Sequence, residues 1–289
     1  MKLEGLAATR QRKEVRLNNM AKDEKTRFRK AMAKEINTNL ESGAYEILGT
    51  KESEEVRRSK GDKILKSRFV LTRKPLEPED VEKAQREGIL FEDEDGAPCK
   101  AKARHVMQGF SEHGAEDLPS TTPQEVAKDS VIFTLQLLCS QGWEIGNLDF
   151  TQAFHAGDKI DRELYSEQPP GGLGLPDLQP RQLLRLKKTC YGLTDGPYQW
   201  YRHISRVLHE MDYVMSKADP CLFYLHRHGQ LAGIIALATD DMIHGGSKEH
   251  WERMNRLQSN YKMGKFATGG GRFSGKDIQK NEDGSFTMH

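Results

Sequence analysis

Cysteine is scarce in this chain: four among 289 residues, Cys99, Cys139, Cys190 and Cys221. No two stand at the spacing of a Cys-x-x-Cys zinc knuckle, and nothing in their positions implies a disulfide framework. A reduced, intracellular chain that is not secreted is expected. Long apolar runs are missing as well. Met1 is followed by polar and basic residues without the apolar stretch of a secretory leader. No run approaches the roughly 20 residues that span a bilayer, so no membrane partner is expected. Internal repeats are absent too, which excludes a solenoid or propeller. Net charge is nearly absent, with 44 Lys and Arg against 43 Asp and Glu.

That balance hides a segregation. Residues 1–34 hold eleven Lys and Arg against four acids, and residues 77–95 hold nine acids against two bases. The basic stretch fits contact with nucleic acid and equally a solvated amphipathic helix. Residues 1–22 read as a basic arm. From there the apolar period predicts a helix over 23–41 (Phe28, Met32, Ile36, Leu40), stopped at Ser42-Gly43. Short strands are expected at 45–48, 66–72 and 100–110, the last two as a hairpin. Between them, 75–98 reads as an exposed acidic insertion with a short helix near 79–87. A helix over 129–141 is predicted with Asp129 as N-cap and Val131, Ile132, Leu135 and Leu138 as its apolar face. Trp143 to Asp149 reads as a strand. Pro197 opens a helix with the stripe Trp200, Tyr201, Ile204, Val207, Leu208 and Met211. Strands follow at 222–225 and 231–238, then a helix capped by Ser247. The interleaving gives a mixed α/β or α+β chain.

The chemistry is concentrated in LAGIIALATDDMIHGG, residues 231–246. An apolar strand ends in Asp240-Asp241 and a second apolar stretch follows, which reads as strand, tight turn, strand. Buried strands do not end in bare carboxylates unless something neutralises them. Asp149 ends another strand in the same way. If the strands are neighbours, three carboxylates converge, and such a set can hold two Mg²⁺ or Mn²⁺ ions about 3.5–4 Å apart. Two-metal phosphoryl transfer on a β-sheet follows, and polymerase and nuclease both satisfy it. Lys100, Lys102 and Arg104 offer cations for a triphosphate or a nucleic-acid backbone, or simply a solvated strand face. His226 and His228 read as solvated turn residues. His244 and His250 lack partners at zinc spacing. GGGR at 269–272 lacks the Lys-Ser/Thr of a phosphate-binding P-loop and reads as a flexible loop.

The order of blocks resembles the reverse transcriptase domain of copia-type LTR retrotransposon Pol polyproteins. KAKARHVMQGF (100–110) resembles KARLVARGF, and WEIGNLDFTQAFHAGD (143–158) resembles WxLHQLDVKNAFLHGD. ELYSEQPPG (163–171), LLRLKKTCYGLTDGPYQWY (183–201), SKADPCLFY (216–224) and ALATDDMIHGG (236–246) resemble further blocks, in order and at similar spacing. YKMGKF and GGGRFSGKDIQKNEDGSFTMH continue the match to the end. The resemblance implies an α+β right-hand polymerase with fingers and palm, the palm an antiparallel sheet backed by helices, and the thumb absent. Residues 23–289 would form this domain, with 143–158 and 197–289 mainly palm.

The resemblance also implies roles. Asp149, Asp240 and Asp241 would be catalytic and hold two Mg²⁺ or Mn²⁺ ions, with the Phe150 carbonyl as a further ligand. Lys102, Arg104, Phe154 and Asp195 would line the dNTP site, Phe154 as the ring that walls the sugar pocket. Lys187, Lys188, Gly275 and Lys276 would contact nucleic acid. Implied partners are a primed RNA or DNA template, dNTPs and other Pol-derived domains (thumb, RNase H, integrase). The implied place is cytoplasmic, in a virus-like particle, or nuclear. The chain departs from the pattern at Ala238-Thr239, where the family has Tyr-Val, and at Asp195, where it has glutamine. Asp195 either caps the helix opened by Pro197 or faces the triphosphate. These departures support a second reading, a catalytically silent nucleic-acid-binding protein on the same scaffold.

Overall fold

A computed structural model describes residues 14–76, 78–93, 95–118, 125–175 and 177–289, without the side chains of 79, 265 and 266. The basic arm read at 1–22 lies, over residues 1–13, outside the described residues. In chain order the elements begin α1 (Lys22–Glu41), β1 (Tyr45–Ile47), α2 (Thr50–Ser59), β2 (Ile64–Leu65), β3 (Ser67–Pro75), α3 (Pro78–Arg86), β4 (Leu90–Glu92) and β5 (Pro98–Met107). They continue α4 (Lys128–Ser140), β6 (Gly146–Phe150), α5 (Ala153–Ala156), β7 (Lys159–Ser166), β8 (Leu184–Lys188), α6 (Gly196–Glu210), β9 (Tyr213–Met215) and β10 (Leu222–Arg227). The last are β11 (Gln230–Ala238), β12 (Asp241–Gly246), α7 (Lys248–Asn260), β13 (Met263–Thr268), β14 (Gly270–Phe273), β15 (Lys276–Lys280) and β16 (Phe286–Met288). No helix among the described residues is long and apolar enough to cross a membrane. The chain divides into two compact units, one ending at Asp117 and resuming over Lys159–Thr194, the other Leu118–Asp158 with Asp195–His289.

The first unit holds two sheets, one in the order β1-β8-β7-β2 and one in the order β3-β5-β4. In α1, Phe28 and Ile36 are wholly buried, as their spacing predicts. The helix closes where Gly43 takes φ 67° and the Gly43 and Ala44 amides return to Leu40 and Asn39. The acidic insertion is more than an exposed loop. Its helix α3 buries Ala84, and β4 pairs with β5 through Leu90↔Lys100 and Phe91↔Cys99. Phe91 meets Phe28 edge to face at 6.1 Å.

The second unit is built on an all-antiparallel sheet in the order β13-β6-β12-β11-β10-β9. Alternation along the strands divides its side chains between two cores. Leu148, Phe150, Phe223, Leu225, Ile235, Leu237 and Met242 pack with Trp200, Ile204 and Leu208 of α6 and Met254 and Leu257 of α7. Leu222, Ile234, Ala236 and Ile243 pack with Val131, Leu135 and Leu138 of α4 and with Phe273 and Ile278 of β14 and β15. Helices α4 and α6 therefore cover opposite faces, and α7 joins α6.

Several local expectations need correction. Ala127, not Asp129, is the N-cap of α4; Asp129 lies in its first turn, where a carboxylate still suits the helix dipole. Ile132 points outward at 47% exposure. The glycines of 269–272 are not a loose loop: Gly270 and Gly271 open β14 at φ 131° and 145°.

His244 and His250, read as lacking metal partners, form a buried chain instead. The Tyr213 hydroxyl meets His250 Nδ1 at 2.8 Å, and His250 Nε2 meets His244 Nδ1 at 2.9 Å. Tyr213 donates to His250, which donates to His244, when both rings carry their hydrogen on Nε2. Burial pushes the pKa of His250 down to about 3 and that of His244 well below its ordinary value. Both rings stay neutral in the folded chain while the unfolded chain takes up protons below about pH 6.5. Stability is thus full above that pH and drains as pH falls towards the folded values, by up to about 1.4 kcal/mol per pH unit for each ring. Urea melts between pH 7.5 and 5 should show this slope. His250→Asn should flatten it even if it lowers stability at pH 7.5, and an unchanged slope would refute the assignment.

Candidate metal and nucleotidyl-transfer site

The register of three strands makes the site. Strand β6 lies between β13 and β12, and β12 is joined to β11 by a turn whose two central residues are Thr239 and Asp240. Asp241 stands directly opposite Asp149 in the β12–β6 ladder. Asp240 projects from the turn and is exposed, and its carbonyl accepts the Phe150 N–H at 2.8 Å. Oxygens of Asp149, Asp240 and Asp241 all lie within 4.8 Å of one another. Like charges opposed across a ladder are destabilising. Burial, then Asp240 and Asp149, push the Asp241 carboxyl up to about 6, against the Ser274 N–H and Arg272, which pull it down. The donor set is all hard oxygen and partly open to solvent, which fits Mg²⁺ or Mn²⁺ and leaves room for water and phosphate.

Two contributors escaped the sequence reading. Gly264 lies at an irregularity of β13 between Met263 and Lys265. A Cβ there would sit 2.3 Å from Asp149 Oδ2 and 3.2 Å from Thr151 Oγ1. An isolated glycine in a strand is the signal of such a close approach, and YKMGKF carries it. The second is the Ser274 amide, which donates to Asp241 Oδ2 at 3.1 Å. It sits at the tip of the β14–β15 hairpin, where Ser274 and Gly275 hold φ 45° and 80°. Asn147 Nδ2 donates to the Arg272 carbonyl at 2.8 Å and ties that hairpin to β6.

The other predicted residues are placed as follows. The Phe150 ring is buried in the core, 5.0 Å from Trp200. Phe154, on α5, packs partly buried against the same core. Asp195 stands at the N-cap of α6 without capping its backbone; its fully buried carboxylate accepts from Gln199 Nε2 at 3.0 Å. Gly275 lies in the hairpin turn, with Lys276 next to it and exposed. In the first unit, Lys102 and Arg104 lie on β5, and the Arg104 guanidinium carbon is 5.4 Å from the Tyr191 ring centre. Lys187 and Lys188 lie on β8, and Lys187 is ion-paired with Glu46.

Residues 78–288 match the family described as reverse transcriptase (RNA-dependent DNA polymerase). The Retrovirus-related Pol polyprotein from transposon TNT 1-94 of Nicotiana tabacum is 27% identical over 220 residues, 76% of this chain and 14% of that protein. Its counterpart from transposon RE1 of Arabidopsis thaliana is 26% identical over 224 residues, 78% of this chain and 13% of that protein. The chain thus spans a small part of the length of these relatives. A solved telomerase of Candida albicans, with a fragment of telomeric RNA, gives a TM-score of 0.44 at 7% identity, over 92% of this chain and 50% of that one.

Proposed function

The chain belongs to the reverse transcriptase family, and on that premise we propose that it carries the nucleotidyl-transfer site of a copia-like retrotransposon polymerase, adding dNTPs to a primer 3′-OH on an RNA or DNA template. The observation that carries this reading is the convergence of Asp149, Asp240 and Asp241 within 4.8 Å, fixed by ladder register. Two Mg²⁺ or Mn²⁺ ions held by these carboxylates would activate the primer hydroxyl and neutralise the leaving pyrophosphate. The chain's own residues do the positioning. Register aims Asp149 and Asp241 at each other, the Ser274 N–H orients Asp241, and Gly264 leaves Asp149 its space.

On this reading the unit containing the carboxylates serves as palm and the other as fingers. Lys102 and Arg104 serve the triphosphate, Phe154 the sugar, and Lys187, Lys188, Gly275 and Lys276 the nucleic acid. Other Pol-derived domains (thumb, RNase H, integrase) are its proposed partners. Asp195, one of the departures behind the silent-scaffold reading, is a buried carboxylate that accepts from Gln199.

The test is primer extension. Purified protein with Mg²⁺, oligo(dT) on poly(rA) and labelled dTTP should extend the primer, and Asp240→Asn should reduce extension to background. Intact template binding without extension by the unaltered chain would favour the silent scaffold.

A further inference from the structure

Thr239 is the first central residue of the β11–β12 turn and holds φ at 51°. Two-residue hairpin turns ordinarily put glycine, asparagine or aspartate where φ is positive. A β-branched side chain is an outlier in this region and stays only when its surroundings hold it. The holding group is Trp200. The Thr239 carbonyl accepts the indole N–H of Trp200 at 2.7 Å. Trp200 is 1% exposed, with Phe150 edge-on at 5.0 Å and His203 stacked at 5.7 Å, so its ring has little freedom. His203 is itself fixed by Asp158 at 3.0 Å and the Tyr261 hydroxyl at 2.7 Å. The next peptide is held from the other side, since the Asp240 carbonyl accepts the Phe150 N–H. The two bonds hold the peptides on either side of Asp240, from which the exposed carboxylate springs.

We propose that Trp200 is a positioning residue: its indole N–H keeps the strained Thr239 turn in the shape that turns Asp240 and Asp241 towards Asp149. Tryptophan suits the task because its N–H only donates and sits on a rigid, wholly buried ring. The role in catalysis rests on the function proposed above; the role in holding the turn does not.

The test compares Trp200→Phe, which keeps a ring and removes the donor, with the same change plus Thr239→Gly. Glycine has no strain at this φ, so the doubly substituted turn keeps its shape without the indole bond. The first readout needs neither metal nor activity: amide hydrogen exchange at Phe150, with Ile234 in the centre of β11 as reference. Trp200→Phe should speed exchange at Phe150 by at least about tenfold, the weight of one hydrogen bond, and leave Ile234 within about twofold. Adding Thr239→Gly should bring Phe150 back to within about threefold of the unaltered chain, since the strain is then gone. The second readout is Mn²⁺ affinity by electron paramagnetic resonance, expected to weaken about tenfold and to recover with glycine; dTTP KM should hold while kcat falls. Should Trp200→Phe fail to fold, 3-benzothienylalanine at position 200 removes the N–H from an isosteric ring.

Unchanged exchange at Phe150, an equal rise at Ile234, or no recovery with Thr239→Gly each overturns the proposal. An unaltered chain that binds no Mn²⁺ or extends no primer counts against the proposed function, and the exchange data still decide this one.

Discussion

Asp149→Asn is expected to stabilise the metal-free protein while lowering primer extension by at least about a thousandfold, several kcal/mol of lost metal-dependent stabilisation. The two effects share one cause. Asp149 and Asp241 stand opposite each other with Asp240 in reach, and burial together with the two neighbouring carboxylates pushes Asp241 up to about 6. Unit charges about 4 Å apart near a protein surface repel by up to about 4 kcal/mol before solvent and salt screen them. Relief of about 1 kcal/mol of net repulsion corresponds to roughly 2–4 °C in melting temperature. A bound cation reverses the order, because saturation at a hundredfold excess over Kd adds about 2.7 kcal/mol to the unaltered chain and little to the variant. Calorimetric melts at pH 8, with EDTA and with Mg²⁺, should therefore cross. The variant should melt higher in EDTA and the unaltered chain higher in Mg²⁺. A metal-free unaltered chain at least as stable as the variant would remove the electrostatic reading of the site.

Gly264→Ala should lower Mn²⁺ affinity and extension rate by about thirtyfold or more, equivalent to some 2 kcal/mol, with little change in melting temperature. The added methyl would stand 2.3 Å from Asp149 Oδ2. Either β13 moves off β6, which costs ladder hydrogen bonds, or the carboxylate swings aside. The swing is the cheaper relaxation, because a side-chain rotation breaks no backbone pairing. It is also the damaging one, since it takes the oxygen out of the triad. Gly264 is exposed and outside the left-handed region, so alanine itself is tolerated by the backbone. Replacing a glycine at a compatible site even favours the folded state by about 0.4–1 kcal/mol. Gly61→Ala, with no atom within 4 Å of the new Cβ, is the control. A Gly264→Ala variant that keeps full affinity would show that Asp149 does not need this clearance.

What the sequence could reveal was set by how local the cause is. Phe28 and Ile36 recur at helical spacing and are buried in α1; Ile234 to Ala238 are continuously apolar and form the middle of a sheet. The carboxylates were legible because an apolar strand ending in two acids is locally anomalous. Helix α2 was not read, since TKESEEVRRS offers only Val56 and Ser53 to a core. Strand β7 was not read, since KIDRELYS carries charges at Lys159, Asp161, Arg162 and Glu163; of these, Glu163 is paired with Lys60 at 2.6 Å and accepts from the Tyr165 hydroxyl at 2.6 Å. The chain from Tyr213 through His250 to His244, the Ser274 amide on Asp241 and the clearance at Gly264 depend on segments brought together only by tertiary structure. Composition and period carry no trace of such meetings.

The acidic insertion has a consequence for solubility. In the three-stranded sheet of the first unit, β5 is the central strand only because β4 lies along its outer side. Trimming the insertion to leave a plain β3–β5 hairpin would bare the backbone donors and acceptors of β5, a template on which a second chain could add a strand. With the insertion in place, the outermost strand is a three-residue segment ending in Glu92 and followed by Asp93 and Asp95, short and negatively charged. Charge and brevity of this kind discourage edge-to-edge association. The insertion thus covers an edge that a plain β3–β5 hairpin would leave open.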